Sequence, residues 1–214
     1  MPETDTCKFF DSYAESFSAI YGNKNSFLNT LVNRYFRKSM KLRYFKTLEG
    51  CEPLQGKSVI DIGCGPGHYG IALAARGAKN ILGIDFSKSM VELAERNAER
   101  HAVRDKCTYV CADFLSYEIG CRFDYSIVMG FMDYIKEPES VIGKTLSATR
   151  SKAFFSFPSE GGILAFQRKL RYQSRCDLFM YDIRQLNNLF KGQRAIDVQI
   201  EKISRDFFVT VFME

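Results

Sequence analysis

The sequence predicts an α/β fold for this 214-residue chain: one domain, with a mostly parallel sheet and helices on both faces. Three observations predict it. Short apolar runs alternate with amphipathic segments from residue 56 to residue 157. Two of those runs end on an acid, Asp61 and Asp85. The first then enters Gly63-Cys64-Gly65-Pro66-Gly67, which leads into the small and apolar residues Ile71, Ala72, Leu73 and Ala75. Glycines at every second position let main chain approach a ligand, and the following helix offers unpaired N–H groups there.

In chain order, residues 11–22 are aromatic-rich and read as a helix closed by Gly22-Asn23. Residues 26–48 read as a longer amphipathic helix. Leu28, Leu31, Val32, Tyr35 and Leu42 form its apolar face; Arg34, Arg37, Lys38 and Lys41 form a basic stripe, a solvated face or a lid for an anionic group. Ser58–Ile62 is the first strand and Tyr69–Arg76 a helix stopped by Gly77. Asn80–Ile84 is the second strand, with Ser87 as N-cap of a helix over Ser89–His101. Thr108–Cys111 and Phe123–Met129 are the next strands. Glu137-Pro138-Glu139 opens a helix, because proline suits a first turn and acids suit the positive end of the dipole. Ala153–Phe157 is a strand stopped by Pro158. Residues 158–190 break the rhythm with Gly161-Gly162, a basic helix from Ile163 to Tyr172 and a short helix from Ile183 to Phe190. Ile196–Ile203 and Phe207–Phe212, separated by Ser204-Arg205-Asp206, read as an antiparallel hairpin.

Composition narrows the class. With 46% hydrophobic and 26% charged residues, the chain is an ordinary globular protein, and its net charge of +5 is mild. Seven cysteines, without a C-x-x-C pair or metal-ligand spacing, point to a reducing, cytoplasmic setting and no metal. No apolar run is long enough to span a bilayer, and no leader or lipidation motif is visible.

Two ligand classes compete for the glycine turn. Gly65-Pro66-Gly67-His68-Tyr69-Gly70 satisfies G-x-G-x-x-G, and Asp85 lies about 20 residues on, where an acid can bind ribose hydroxyls of a dinucleotide. Asp61 weighs against a dinucleotide, because a carboxylate beside this turn repels a pyrophosphate. S-adenosylmethionine has no phosphate and carries a sulfonium and an ammonium, so an acid is favourable. Asp61 then acts on the ammonium directly or through water, or accepts N–H groups of the turn.

Asp61-Ile62-Gly63-Cys64-Gly65-Pro66-Gly67 resembles the first motif of the class I S-adenosylmethionine-dependent methyltransferases. Leu82-Gly83-Ile84-Asp85-Phe86-Ser87 resembles the second, whose acid binds both ribose hydroxyls, and Met90 stands where the family packs an apolar side chain on adenine. Cys111-Ala112-Asp113-Phe114 resembles the third, with Asp113 at the adenine amino group and Phe114 beside the ring. Residues 123–130, ending in Met129-Gly130, resemble the fourth strand, whose end lines the methyl-transfer site. The resemblance covers roughly residues 50–213. It implies a Rossmann-like, seven-stranded sheet of order 3-2-1-4-5-7-6 with the last strand antiparallel, and S-adenosylmethionine as cofactor. It divides the single domain into a helical cap (1–50), a cofactor-binding core (51–157), a substrate-side insert (158–192) and the closing hairpin (193–214).

Methyl transfer from a sulfonium is an in-line displacement, so positioning is the main requirement and a base is optional. Asp133, in the segment after the fourth strand, is the candidate base or hydrogen-bond acceptor; its alternative is a loop acid. His68 is the second candidate, or a first-turn residue. Tyr13 and Tyr21 lie in a segment that folds over the cofactor in relatives. Arg37 and Arg43 are candidates for the cofactor carboxylate, a role an arginine before the first strand plays in some quinone-type O-methyltransferases. Neither Asn/Asp-Pro-Pro-Tyr/Phe after the fourth strand nor a Pro-Cys pair of the 5-methylcytosine type is present, which favours a small-molecule acceptor over nucleic acid. The layout is similar to the O-methyltransferase branch that includes the ubiquinone and magnesium-protoporphyrin enzymes. There Tyr134, Arg168, Arg171 and Tyr172 would meet an anionic or sugar-linked acceptor, methylated at oxygen. An RNA or protein methyltransferase, and a non-catalytic S-adenosylmethionine-binding protein, are the alternatives.

Overall fold

The computed structural model describes residues 27–160 and 178–214, with side chains from Ser39 onward. The expected helices over 11–22 and 163–172, and with them Tyr13, Tyr21, Arg168, Arg171 and Tyr172, lie outside the described residues, as do the side chains of Arg34, Arg37 and Lys38.

Helix α1 (Phe27–Gly50) leads to β1 (Ser58–Ile62), α2 (His68–Ala75), β2 (Asn80–Asp85), α3 (Lys88–Arg100) and β3 (Cys107–Cys111). Then come β4 (Phe123–Val128), α4 (Pro138–Ser147), β5 (Thr149–Pro158), α5 (Ile183–Phe190) and the hairpin β6 (Asp197–Ile203) and β7 (Asp206–Phe212). The seven strands form one sheet of order β3-β2-β1-β4-β5-β7-β6, parallel except where β7 meets β5 and β6. This is the order that the resemblance implies. Among the described residues no helix is long and apolar enough to cross a membrane.

Both faces of the sheet are covered, which is why the central strands read as continuous apolar runs rather than alternating ones. Val59, Ile127, Phe154 and Phe208 face one layer with Leu48 of α1, Leu73 of α2 and Ala94 of α3. Ile60, Ile62, Val128, Phe155 and Val209 face the other, with Val141 and Leu146 of α4 and Leu186 and Phe190 of α5. Helix starts follow local chemistry. Ser87 Oγ accepts the Met90 N–H at 3.2 Å, and Asp182 and Gln185 form a reciprocal capping box at the start of α5.

Most boundaries shift from the sequence reading by a residue or two, and two of the departures bear on the interior. β5 begins at Thr149, four residues before the expected Ala153, because pairing with β4 rather than apolarity sets it. There Ser126 and Thr149 share a hydrogen bond of 2.6 Å in the interior. Asp206, expected in the turn of the last hairpin, is the first residue of β7 and is 1% exposed.

One register fixes the ligand end of the sheet. Asp61, Gly83 and Tyr109 stand side by side on β1, β2 and β3. The Tyr109 ring fills the space where Gly83 has no side chain, and its hydroxyl lies 2.7 Å from where a Cβ on Gly67 would be. An added methyl at Gly83 would sit 2.5 Å from Tyr109 Cδ1. Gly83→Ala is therefore expected to destabilise the fold by about 1–3 kcal/mol through overpacking, read by urea denaturation, with partial relief when Tyr109→Leu is added.

Candidate active site

The turn after β1 is held by main chain. Gly63 and Cys64 N–H groups both donate to the Ile84 carbonyl, at 2.8 and 3.1 Å, and Gly67 N–H donates to Cys64 O at 3.0 Å. Gly65 has φ +50, and a Cβ added there would meet nothing within 4 Å, so its main chain faces open space. Cys64 turns its side chain into the core, and burial pushes its thiol well above the ordinary range; it can offer a ligand only main chain. The five described cysteines are free thiols.

Asp85 fastens this turn to β2. Its Oδ2 accepts the Gly65 N–H at 2.8 Å and its Oδ1 the Ser87 N–H at 3.0 Å. The N-cap of α3 is Ser87, not Asp85, so the acid's place at the strand end is not explained by helix capping. Both carboxylate oxygens of Asp85 thus take part in holding the strand end and the turn together.

Asp61 lies below the turn and is 2% exposed. The Gly70 N–H of α2 donates to its carboxylate, while Oδ2 has no hydrogen-bond partner. Burial raises its pKa to about 7; the Gly70 hydrogen bond opposes this and the Asp85 charge adds to it. A buried carboxylate with one unsatisfied oxygen suits a cation and disfavours a pyrophosphate.

The other expected residues distribute as follows. Asp113, just past β3, accepts from Leu115 N–H at 3.2 Å and Ser116 Oγ at 2.8 Å, closing its own turn. Phe114 is buried in the α4-side layer with the Lys144 ammonium 5.4 Å from its ring centre, so it packs as core. Met90 is likewise buried, and Phe86 is half-buried. Met129 and Gly130 (φ +70) end the β4 run, and the ring of Phe131 covers Gly63. Asp133, in the 3-10 turn Met132–Tyr134, is 2% exposed, and its carbonyl accepts the Phe179 N–H at 2.8 Å. His68 opens α2 half-buried, and burial, then the neighbouring His101, lowers its pKa. Arg43 of α1 places both terminal nitrogens 3.9 Å from where a Cβ on Gly130 would be.

The strand register brings Gly63, Asp85, Asp113 and Gly130 to the carboxyl ends of four adjacent strands. That is where open α/β sheets bind ligands. A separate hollow of about 560 Å³, lined by Tyr117, Arg122 and Lys144 among others, lies near the amino end of β4, away from this cluster. Sequence reasoning missed Tyr109, which reads as an ordinary strand aromatic, and the buried polar residues Ser39, Ser156 and Asp206. An acid heading the apolar run 207–212 was the one available signal for Asp206.

This sheet order, with an acid below a glycine turn and another at the end of the second strand, defines the class I S-adenosylmethionine-dependent methyltransferase fold. A family model described as a methyltransferase domain matches residues 54–197, and the chain belongs to that family. The chain is 32% identical over 114 residues to the ubiquinone biosynthesis O-methyltransferase of Coxiella burnetii (strain Dugway 5J108-111), covering 52% of this chain and 47% of that one. It is 30% identical over 125 residues to the protein of the same name in Chromobacterium violaceum, covering 52% and 53%. It thus spans about half the length of the curated relatives it matches. Among solved structures, it resembles magnesium protoporphyrin IX methyltransferase from Synechocystis PCC 6803 with bound S-adenosylhomocysteine. That likeness has a TM-score of 0.75 at 18% identity and covers 98% of both chains. The S-adenosylmethionine-bound structure of that enzyme gives 0.72 at 17%, covering 99% and 98%. At these identities the likeness is one of fold.

The Asp61 geometry has a stability consequence. Its pKa is higher folded (about 7) than unfolded (near 3.8), so the charge imposes no cost below pH 4. The cost grows as pH rises from 4 to 7 and is constant above that, on the order of 4 kcal/mol. Asp61→Asn should therefore melt higher than the wild type at pH 8, with the gap closing below pH 4, as followed by thermal denaturation across pH.

Proposed function

We propose that the chain transfers a methyl group from S-adenosylmethionine to a small-molecule acceptor, at oxygen. The observation that carries the cofactor reading is the buried Asp61 carboxylate with its unpartnered Oδ2 beneath an open glycine turn. The acceptor class is supported by the curated relatives, which are named as O-methyltransferases. An anionic acceptor remains part of the reading, through Arg168, Arg171 and Tyr172 of the 158–192 insert, with residues 1–50 as cap.

The bound cofactor would supply a methyl group already activated on a sulfonium. This chain's residues would hold and orient it. Asp61 would take the ammonium and Arg43 the carboxylate. Asp85 would accept the ribose hydroxyls while it keeps Gly65 in place. Asp113 turns its spare acceptor capacity to the adenine amino group, with Phe86 and Met90 beside the ring and Phe114 backing it from the core. Gly63, Gly65 and Gly67 offer main chain, and Met129 and Gly130 line the place where donor and acceptor meet. Asp133 and Tyr134, next along the chain, would serve the acceptor, Asp133 as hydrogen-bond acceptor or base. His68, whose depressed pKa keeps it neutral at pH 7, is the second proton acceptor.

Calorimetry and a turnover screen test this. In calorimetry S-adenosylhomocysteine should bind and NAD should not; binding of NAD alone would overturn the reading. Asp85→Ala should weaken S-adenosylhomocysteine by about 1–3 kcal/mol through lost hydrogen bonds to a charged group. The ammonium needs Asp61 ionised, so affinity should climb with pH up to about 7, by no more than about tenfold per unit, then level off; Asp61→Asn should remove the slope. A turnover screen over phenols, carboxylic acids and sugars should yield a methylated oxygen, and methylation of RNA alone would refute the acceptor class.

A further inference from the structure

Two polar residues on one face of α1, Ser39 and Arg43, converge on a single acid of the far hairpin. They stand one helical turn apart. Ser39 Oγ donates to Asp206 Oδ2, and Arg43 Nη1 lies 3.6 Å from the same oxygen. Arg43 Nη1 also donates to Ser156 Oγ at 3.1 Å, and that hydroxyl accepts the Gly130 N–H at 2.8 Å. Ser39, Ser156 and Asp206 are all buried, and the Arg43 side chain is 11% exposed. A buried carboxylate persists only where charge and hydrogen bonds compensate it, and α1 supplies one of each here.

The chain of contacts ends at the site. Gly130 follows Met129 at the tip of the β4 run, and both terminal nitrogens of Arg43 face the empty Cβ position of this glycine. The contacts with Ser156 and Asp206 both fall on Nη1. They orient the guanidinium so that Nη1 and Nη2 both lie 3.9 Å from the Cβ position of Gly130, at the end of β4. A long cationic side chain held in one orientation gives up less freedom when it meets a carboxylate.

We propose that Asp206 is a positioning residue: with Ser39 and Ser156 it holds the Arg43 guanidinium at the tip of β4, aimed to receive a ligand carboxylate. This rests on the assignment of Arg43 to the amino-acid end of S-adenosylmethionine. Asp206 itself stays behind the guanidinium and touches no ligand.

Two probes separate this role from a structural one. S-adenosylhomocysteine carries the amino-acid end; 5′-methylthioadenosine lacks it. Asp206→Asn keeps an acceptor for Ser39 but removes the charge that orients Arg43. In calorimetry with the full chain, this variant should bind S-adenosylhomocysteine about tenfold more weakly and 5′-methylthioadenosine as the wild type does. Adding Asp206→Asn to Arg43→Met should weaken S-adenosylhomocysteine no further than Arg43→Met alone, because Asp206 acts only through Arg43. If Asp206→Asn does not fold, Ser39→Ala should show the same split between probes with a smaller loss. Unchanged S-adenosylhomocysteine affinity, an equal loss for both probes, or additive losses in the double variant would each overturn the proposal. Failure of the wild-type chain to bind S-adenosylhomocysteine would instead overturn the cofactor reading on which it rests.

Discussion

A carboxylate buried beneath the glycine turn is the constraint on which the ligand end of this fold depends. Asp61 stands on the central strand β1, on a face otherwise given to aliphatic and aromatic packing. Burial alone would drive it neutral, and one N–H group from α2 offsets only part of that. In the proposed function a positive ligand group would offset the rest. The protein thus carries an unfavourable electrostatic element whose removal would stabilise the empty fold, the pattern expected where binding rather than stability set the residue.

The neighbouring strands adapt to that acid. Gly83 leaves room for the Tyr109 ring to cross β2, and Tyr109 in turn comes close under Gly67 and Gly70. The turn is hooked to the end of β2 by the Ile84 carbonyl and the Asp85 carboxylate. Asp85 thus has a structural role in the turn, beside the ligand role proposed for it.

The first helix is tied to the opposite half of the sheet. Arg43 and Ser39 reach Asp206 on β7 and Ser156 on β5, and Lys46 pairs with Glu201 on β6 at 2.7 Å. The last hairpin consequently does more than close the sheet. It supplies the buried anion that anchors α1 over the carboxyl ends of β4 and β5.

The sequence by itself determined the alternation of strands and helices and most element boundaries, whereas the strand order came only as what the family resemblance implies. Parallel strands buried on both faces leave continuous apolar runs, and caps such as Ser87 and Asp182 mark their helices locally. It also determined the glycine turn and its acids, because they lie within short motifs whose spacing survives folding. What it could not determine were features made by distant residues. Thr149 reads as polar loop and becomes strand because β4 offers it partners. Phe114 reads as an adenine contact through the resemblance, Met90 as adenine contact or core, and only the packing around α3 and α4 buries both. Asp206 reads as a turn acid, and only the meeting of α1 with β7, across 163 residues from Arg43, makes it a buried ion-pair partner. Local chemistry is written in neighbouring residues, whereas burial and long-range pairing exist only once the chain has closed on itself.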